Sequence, residues 1–362
     1  MTYEPELQFG DVIPHARIRG CLLGGAVGDA FGAPVEFLSL EEIRRQFGPD
    51  GIRDYAPAYG RLGAITDDTQ MTLFTAEGLL RATMRMSERG ICHPPSVVHH
   101  AYLRWLLTQK ERPKRPIDIR TDGWLFGVRA LHHRRAPGNT CLAALRDAEG
   151  WGASAVARNA SKGCGGLMRA APVGLFQERD ETLFDVAVET ARLTHGHPSG
   201  SLTAGYLAVA IAALLRGDPL VRALDSADEQ LNGREGHEEV ANALAAGRAL
   251  AARGQPRPED LETLGGGWVA DEALAISVCC ALAARHFVDG VVLAANHSGD
   301  SDSTAAITGN LLGAQFGERA IPTGWLNKLE LRNEITQIAD DVHAAWTGAI
   351  SIDAYWDRYP GY

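Results

Sequence analysis

The feature of this sequence that most restricts its fold is the scarcity of strand patterns. Apolar residues recur at every third or fourth position from Arg17 onward, and alternation of apolar and polar residues is hard to find anywhere in the chain. The period is clear in segments such as SLTAGYLAVAIAALLRG and DEALAISVCCALAAR. The sequence therefore predicts an all-α protein.

The predicted helices are similar in composition, which favours one large domain. The chain has 362 residues, of which 45% are hydrophobic, so it can bury a large core. We expect loops at 113–123, 135–140, 217–236 and 254–267, each too short for a flexible interdomain linker. The sequence thus predicts an N-terminal tail at residues 1–13 and a single compact helical domain at residues 14–362.

One glycine pattern predicts close helix packing. Gly20, Gly24 and Gly28 recur at every fourth position in the first predicted helix. Residues at this spacing lie on one face of a helix, and without side chains they let a second helix approach closely.

Charge and cysteine usage restrict the partners and the compartment. The net charge of −10 argues against a nucleic-acid backbone or an anionic membrane as the main partner, because both require a basic face. The longest apolar run, at 206–215, is about half the roughly 20 residues that a membrane helix needs, so we expect a soluble protein. The six cysteines form no C-x-x-C pair, which favours a reducing cytoplasm.

Two acidic clusters each precede an apolar helical stretch, at Thr66–Thr69 and at Asp300–Thr304. One interpretation is helix capping, because Ser, Thr and Asp are preferred at the N-cap and acidic side chains suit the positive end of a helix. A cap needs only one such residue, however, and each cluster has two carboxylates and at least two hydroxyls. Neighbouring carboxylates repel one another unless a cation lies between them, and an all-oxygen set suits Mg²⁺ or Mn²⁺. If both helix ends face one cleft, a two-metal site follows.

A glycine-rich segment, SKGCGGLMR, runs from Ser161 to Arg169 and has three glycines in four residues. Glycines let backbone N–H groups approach a ligand and form an anion-binding nest. The segment lacks the Gly-Lys-Ser/Thr of a P-loop, and no strand precedes it as in a dinucleotide-binding motif. A plain turn is the alternative interpretation.

Histidines follow the glycine segment at His195 and His197. A His-x-His pair could bind metal, but no third imidazole or thiol is near in sequence, so a hydrogen-bonding or ligand-facing role for His195 is favoured. Cys164 and His195 could also form a nucleophile–base pair, although nothing in the sequence places them together.

Five motifs in this order resemble the ADP-ribosylglycohydrolase family, which includes the dinitrogenase-reductase-activating glycohydrolase and the human ADP-ribosylhydrolases. They are GCLLGGAVGDAFGAPVE, ITDDTQMTL, SKGCGGLMRAAPVGL, LTHGHPSG and NHSGDSDSTAAITGNLLGA. The resemblance runs from about Arg17 to about Ala320, and the two acidic motifs are its most specific part. It implies a compact orthogonal all-α bundle that carries two Mg²⁺ or Mn²⁺ ions.

The resemblance also implies three groups of site residues. The implied metal ligands are Thr66, Asp67, Asp68, Asp300, Asp302 and Ser303. The implied ADP-ribose-binding residues are Ser161, Gly163, Cys164, Gly165, Gly166 and His195. The implied catalytic residues are Glu36 and Asp302, and Glu36 matches an acid that in some relatives reaches a metal or the scissile bond. Cys164 stands where some relatives have Asn, so its backbone rather than its side chain is expected to bind the ligand.

The activity that the resemblance implies is a metal-dependent ADP-ribosylhydrolase of the N- or O-glycosidic type. Its expected substrate is a mono-ADP-ribosylated protein linked through arginine, the commonest substrate in the family. A serine linkage, O-acetyl-ADP-ribose or another ADP-ribosylated molecule would use the same core. The alternatives are a catalytically weak protein that binds ADP-ribose, and an immunity protein that blocks an ADP-ribosylating toxin by contact.

Overall fold

The structure, a computed structural model, describes residues 12–150, 152 and 156–361. Most of the predicted N-terminal tail, residues 1–11, lies outside the described residues, and the first helix begins at Val12. In chain order, the α-helices are α1 (Val12–Gly32), α2 (Leu40–Phe47), α3 (Asp67–Arg89), α4 (Pro94–Thr108), α5 (Asn139–Arg146), α6 (Asp180–Arg192), α7 (Pro198–Leu215), α8 (Leu220–Leu231), α9 (Glu238–Ala252), α10 (Pro258–Leu261), α11 (Ala270–Ala283), α12 (Phe287–Ala294), α13 (Ser301–Phe316), α14 (Thr323–Lys328), α15 (Arg332–Trp346) and α16 (Ile352–Tyr355). Short 3-10 helices lie at Leu125–Gly127, Arg129–His132, Cys164–Gly166, Ala171–Leu175, Glu262–Leu264 and Glu318–Ala320.

The all-α prediction is confirmed. Within the described ranges the backbone forms no β-strand, and only two isolated bridges occur, one between Ala58 and Arg61 and one between Gly163 and Val269. Two of the predicted loops were wrong in part, because α8 occupies most of 217–236 and α10 lies within 254–267. Polar residues dominate the outer face of α8 and obscure its buried apolar positions, which include Leu220, Leu224 and Leu231.

The predicted glycine contact is confirmed between α1 and α13. A Cβ atom added at Gly20 would lie 2.2 Å from the carbonyl oxygen of Gly313, and one at Gly24 would lie 2.4 Å from that of Gly309. At Gly28 the added Cβ would lie 2.0 Å from the carbonyl oxygen of Ala305. Later residues of α1 contact earlier residues of α13, so the two helices are antiparallel and their backbones lie in close contact.

This contact brings the C-terminal end of α1 against the first turn of α13. A Cβ at Gly32, the last residue of α1, would lie 2.4 Å from the Cα of Asp302. The turn that follows α1 carries Glu36, and the first turn of α13 carries the second acidic cluster. Backbone packing therefore places the two candidate catalytic residues next to each other.

Helix α7 forms part of the centre of the molecule. Its residues from Ser199 to Leu215 are buried, and it packs against α6, α8, α11 and α13. By length and composition α7 could also span a membrane, but 94% of that segment is buried inside the protein. Such burial is typical of a core helix, and the helix by itself is only weak evidence for a membrane.

Candidate active site

Asp29, near the end of α1, fixes the start of α3. Its carboxylate accepts hydrogen bonds from the backbone N–H groups of Thr66 (3.0 Å) and Thr69 (3.1 Å), and from the Thr69 hydroxyl. Thr66 is the N-cap of α3, and its hydroxyl accepts a hydrogen bond from the backbone N–H of Asp68. Thr66 and Asp29 therefore cap the start of α3, and the carboxylates of Asp67 and Asp68 are not needed for capping.

The remaining carboxylates of both clusters converge with Glu36. Carboxylate oxygens of Glu36, Asp300 and Asp302 all lie within 4.8 Å of one another. Asp67 and Asp68 belong to the same electrostatic group, because both interact with Asp302. The two helix N-termini thus face one site, as the sequence analysis required for a metal centre.

Burial raises the pKa of every carboxyl group in this site, and repulsion from neighbouring carboxylates adds to this effect at all of them except Asp302. Burial is the largest cause and raises the pKa of Glu36 to about 11, with Asp302 as the next contributor. The same two causes raise the pKa of Asp29 to about 7. The pKa values of Asp67, Asp68 and Asp300 also lie well above the ordinary range, with burial again the first cause. Five aspartates and a glutamate thus share a site in which full ionisation is unfavourable without a compensating cation.

The donor atoms fit a hard divalent cation. Oε2 of Glu36 and Oδ2 of Asp68 are buried and have no hydrogen-bond partner among the described residues. Buried acceptors without partners are costly, and a cation would satisfy both atoms and reduce the repulsion. Thr66 and Ser303 add two hydroxyls to the site. The Thr66 side chain bonds Asp302, and the Ser303 hydroxyl lies 3.4 Å from the Cys164 sulfur. The set is almost entirely oxygen, which suits Mg²⁺ or Mn²⁺.

The glycine loop, Ser161–Gly166, borders the acidic site through Cys164. The Cys164 thiol donates a hydrogen bond to Oδ2 of Asp300 (2.8 Å), and burial followed by Asp300 raises the pKa of this thiol. The backbone N–H of Cys164 donates to the Trp268 carbonyl (3.1 Å), and that of Gly163 donates to the Ser161 hydroxyl (3.3 Å). These two amides already donate to acceptors within the protein, so fewer N–H groups of the loop are left to bind an anion.

His195 lies directly beneath this loop. A Cβ atom added at Gly165 would lie 3.0 Å from Cε1 of His195, and one added at Gly163 would lie 3.5 Å from Nε2. Nδ1 of His195 lies 2.8 Å from the Thr194 hydroxyl, and burial lowers the pKa of His195 to about 3. The side chain is thus a neutral imidazole beside the predicted ligand-binding loop.

Two of the open sequence interpretations find no support in these contacts. The Cys164 thiol bonds Asp300, and its raised pKa disfavours the thiolate that a cysteine nucleophile requires. His197 is the N-cap of α7, where Nδ1 accepts a hydrogen bond from the backbone N–H of Ser199 (3.2 Å), whereas His195 bonds Thr194. The two histidines therefore serve different local structures.

Several residues around the site were missed by the sequence analysis. Phe37, which follows Glu36, stacks on Trp268 with ring centroids 5.3 Å apart, and both rings are exposed at the rim. Phe37 has a φ of 70°, an uncommon conformation for a residue with a side chain. The backbone N–H of Gly138 donates to Oδ2 of Asp67 (3.1 Å). No local pattern marks these residues, because each contact joins distant parts of the chain.

The chain is similar to known proteins over most of its length. The ADP-ribosylglycohydrolase family matches residues 11–351. The ADP-ribosyl-[dinitrogen reductase] glycohydrolase of Rhodospirillum rubrum is 28% identical over 332 residues, covering 88% of this chain and 92% of the relative. ADP-ribosylarginine hydrolase Tri1 of Serratia proteamaculans is 24% identical, covering 90% of this chain and 78% of the relative.

A solved structure described as an ADP-ribosylglycohydrolase-related protein complex has the same fold. It superposes with a TM-score of 0.64 at 29% sequence identity, covering 92% of this chain and 98% of that chain. The family match spans nearly the whole sequence, and the acidic site and glycine loop both lie within it. The chain therefore belongs to the ADP-ribosylglycohydrolase family.

Proposed function

We propose that this protein is a metal-dependent ADP-ribosylhydrolase that releases ADP-ribose from mono-ADP-ribosylated arginine on a protein. The observation that carries the proposal is the buried group of carboxylates from the turn after α1 and from the starts of α3 and α13, beside a glycine loop. Arginine as the linkage is supported by the Serratia relative, which is named an ADP-ribosylarginine hydrolase.

Asp67, Asp68, Asp300 and Asp302, with the hydroxyls of Thr66 and Ser303, would hold two Mg²⁺ or Mn²⁺ ions. Such ions supply Lewis-acid polarisation of the ribose hydroxyls and lower the pKa of a bound water. Asp302 orients the first turn of α13 as well, because its Oδ1 accepts a hydrogen bond from the backbone N–H of Ser303 (2.9 Å). Cleavage builds positive charge on the ribose ring, which the surrounding negative side chains would stabilise.

Glu36 is proposed as the group that accepts a proton from the attacking water. It lies in a turn rather than in a helix, and its Oε2 has no protein partner in the described part of the chain. Positive charge among the carboxylates would bring the pKa of Glu36 down into the range in which it is ionised at neutral pH. An ionised Glu36 could then act as the general base.

The ADP-ribose would lie along the glycine loop, with His195 beneath it. Ser161 is placed there by two contacts, since its hydroxyl accepts from the N–H of Gly163 and bonds the Thr140 hydroxyl (3.1 Å). Lys162 is directed away from the loop, because its ammonium pairs with Glu239. Recognition of the diphosphate would therefore depend on backbone and neutral groups.

We also propose a cytoplasmic location. The six cysteines are all free, which is usual in a reducing compartment. The net charge of −10 supports a protein or small-molecule substrate over a nucleic acid.

The test is a comparison of linkages. The protein is incubated with separately arginine-, serine- and glutamate-linked ADP-ribosyl proteins, with Mg²⁺ or with a chelator, and the released ADP-ribose is quantified. We expect release from the arginine-linked substrate when Mg²⁺ is present and none when the chelator is present. Tight ADP-ribose binding without release from any substrate would favour the alternative of a binding protein or immunity protein.

A further inference from the structure

A fully buried arginine follows the glycine loop and has no carboxylate partner in the described part of the chain. Arg169 is 0% exposed and lies between the loop and the core. Its guanidinium lies 4.2 Å from the centre of the Tyr102 ring. Nη1 donates to the sulfur atoms of Cys141 (3.3 Å) and Met71 (3.5 Å), and Nη2 donates to the Thr194 hydroxyl (2.6 Å). Burying a guanidinium without a carboxylate partner is costly, so the hydrogen bonds that Arg169 makes here are its main compensation.

The direction of the hydrogen bonds at Thr194 follows from this contact. Arginine can only donate, so the Thr194 hydroxyl oxygen accepts from Nη2 of Arg169. The hydroxyl has one proton, and three acceptors are in reach: Nδ1 of His195 at 2.8 Å, the carbonyl oxygen of Ala191 at 3.4 Å and the Cys141 sulfur, which also bonds this side chain. The shortest of these contacts favours donation of the proton to Nδ1 of His195.

This direction determines which ring nitrogen of His195 has a proton. In a neutral imidazole one nitrogen accepts and the other carries hydrogen. If Nδ1 accepts from Thr194, the hydrogen is on Nε2. Burial, followed by the nearby positive charge of Arg169, lowers the pKa of His195 and so disfavours a second proton.

Nε2 faces the glycine loop. An added Cβ would lie 3.5 Å from Nε2 at Gly163 and 3.3 Å from it at Gly165. His195 bonds Thr194 through Nδ1, and the residue is only 1% exposed. A hydrogen on Nε2, beside these two glycines, is placed to reach an oxygen atom of a ligand bound on the loop.

We propose that Arg169 and Thr194 are positioning residues that hold His195 as the neutral tautomer with hydrogen on Nε2, ready to donate to an oxygen of the ligand on the glycine loop. That the ligand is ADP-ribose rests on the proposed function. The tautomer itself does not, because the contacts that determine it lie within the protein.

The first measurement is the tautomer of His195 in the ligand-free protein. Long-range ¹H–¹⁵N correlation on histidine-labelled protein distinguishes a protonated from an unprotonated ring nitrogen, and His195→Asn assigns the signal. The expected result is hydrogen on Nε2 and an unprotonated Nδ1. Hydrogen on Nδ1, or a doubly protonated ring at neutral pH, would overturn the proposal whatever the activity of the protein.

The second measurement compares two substitutions of Thr194. Thr194→Val keeps the shape and removes the hydroxyl, whereas Thr194→Ser keeps the hydroxyl. For Thr194→Val we expect a mixed tautomer signal and about 5- to 10-fold weaker ADP-ribose binding by calorimetry, the effect of one net hydrogen bond. Thr194→Ser should retain both wild-type properties. A folded Thr194→Val with the wild-type tautomer and affinity would contradict the positioning role of Thr194.

The two proposals can fail separately. If the wild-type protein shows hydrogen on Nε2 but does not bind ADP-ribose, the proposed function fails while the tautomer assignment stands. If it binds and hydrolyses ADP-ribosyl substrates with hydrogen on Nδ1, the function stands and the positioning role is wrong.

Discussion

Replacing Asp302 with Asn should stabilise the metal-free protein and remove most of its response to Mg²⁺. Asp302 is the charged neighbour that most raises the pKa of Glu36, Asp68 and Asp300. It is only 3% exposed, so solvent screens these interactions poorly. Asn has nearly the same shape, and its oxygen can still accept the hydrogen bond from the backbone N–H of Ser303.

The expected magnitude follows from the geometry of the cluster. Two ionised carboxylates at 4.8 Å, the outer limit of the group formed with Glu36 and Asp300, repel by about 3.5 kcal/mol at an effective dielectric constant of about 20. Protonation of neighbouring groups relieves part of this repulsion. We therefore expect the free energy of unfolding of metal-free Asp302→Asn to exceed that of the wild type by about 1–3 kcal/mol.

Mg²⁺ should remove most of this difference or reverse it. A cation at about 100 times its Kd stabilises the folded state by about 2.7 kcal/mol, and loss of a central ligand should reduce this gain to less than about 1 kcal/mol. The assay is urea-induced unfolding at pH 7.5, with a chelator and with Mg²⁺. Asp341→Asn is a control, because Asp341 is equally buried but is paired with Arg358 and Tyr359. It should destabilise the protein by the same amount in both buffers.

An Asp302→Asn protein that is destabilised equally with and without Mg²⁺ would contradict this prediction. That result would assign Asp302 a structural role at the start of α13 and leave the metal site without support.

Three further predictions concern catalysis, binding and pH. Glu36→Gln should lower kcat about 10²-fold or more and leave ADP-ribose affinity nearly unchanged, because Oε2 of Glu36 has no protein partner among the described residues. A wild-type kcat would exclude Glu36 as the general base. Gly163→Ala should fold normally, since φ at this position is −56°. Its methyl group would cover Nε2 of His195 and weaken ADP-ribose binding, measured by calorimetry, about tenfold or more. Gly127→Ala, where an added Cβ meets nothing within 4 Å, should change neither folding nor binding. Folding raises the pKa of Asp29 from 3.8 to about 7 and that of Glu36 from 4.5 to about 11, so the folded state holds protons that the unfolded state has lost. The metal-free protein should therefore lose stability as the pH rises from about 4 toward 8, and constant or rising urea midpoints over that range would contradict this assignment.

The fold was predictable because the glycines that form its main contact, between α1 and α13, follow a pattern that is visible within one segment of the sequence. The fourfold glycine spacing of α1 is a one-helix pattern, and it correctly predicted the close approach that α13 makes. The acidic clusters were equally visible, since each occupies a single helix start. Helix α8 was missed because its apolar positions are separated by charged residues and lie between two glycine-containing turns.

The rest of the site depends on contacts between distant residues. Nothing near Asp29 in sequence shows that it accepts hydrogen bonds from the first turn of α3, and nothing near Phe37 shows that it stacks on Trp268. The sequence allowed the glycine cluster to be interpreted as a ligand-binding loop or as a plain turn. The structure adds a packing reason for Gly166, where an added Cβ would lie 2.5 Å from the carbonyl oxygen of Gly200.

The central claim is that the carboxylates around Asp302 hold cations needed to release ADP-ribose. The most direct measurement is the initial rate of ADP-ribose release from arginine-ADP-ribosylated protein as free Mg²⁺ is raised from zero in a chelator-buffered titration. We expect no release without metal and a saturable increase with Mg²⁺ that Asp302→Asn largely abolishes. Full activity in the chelator alone would contradict it.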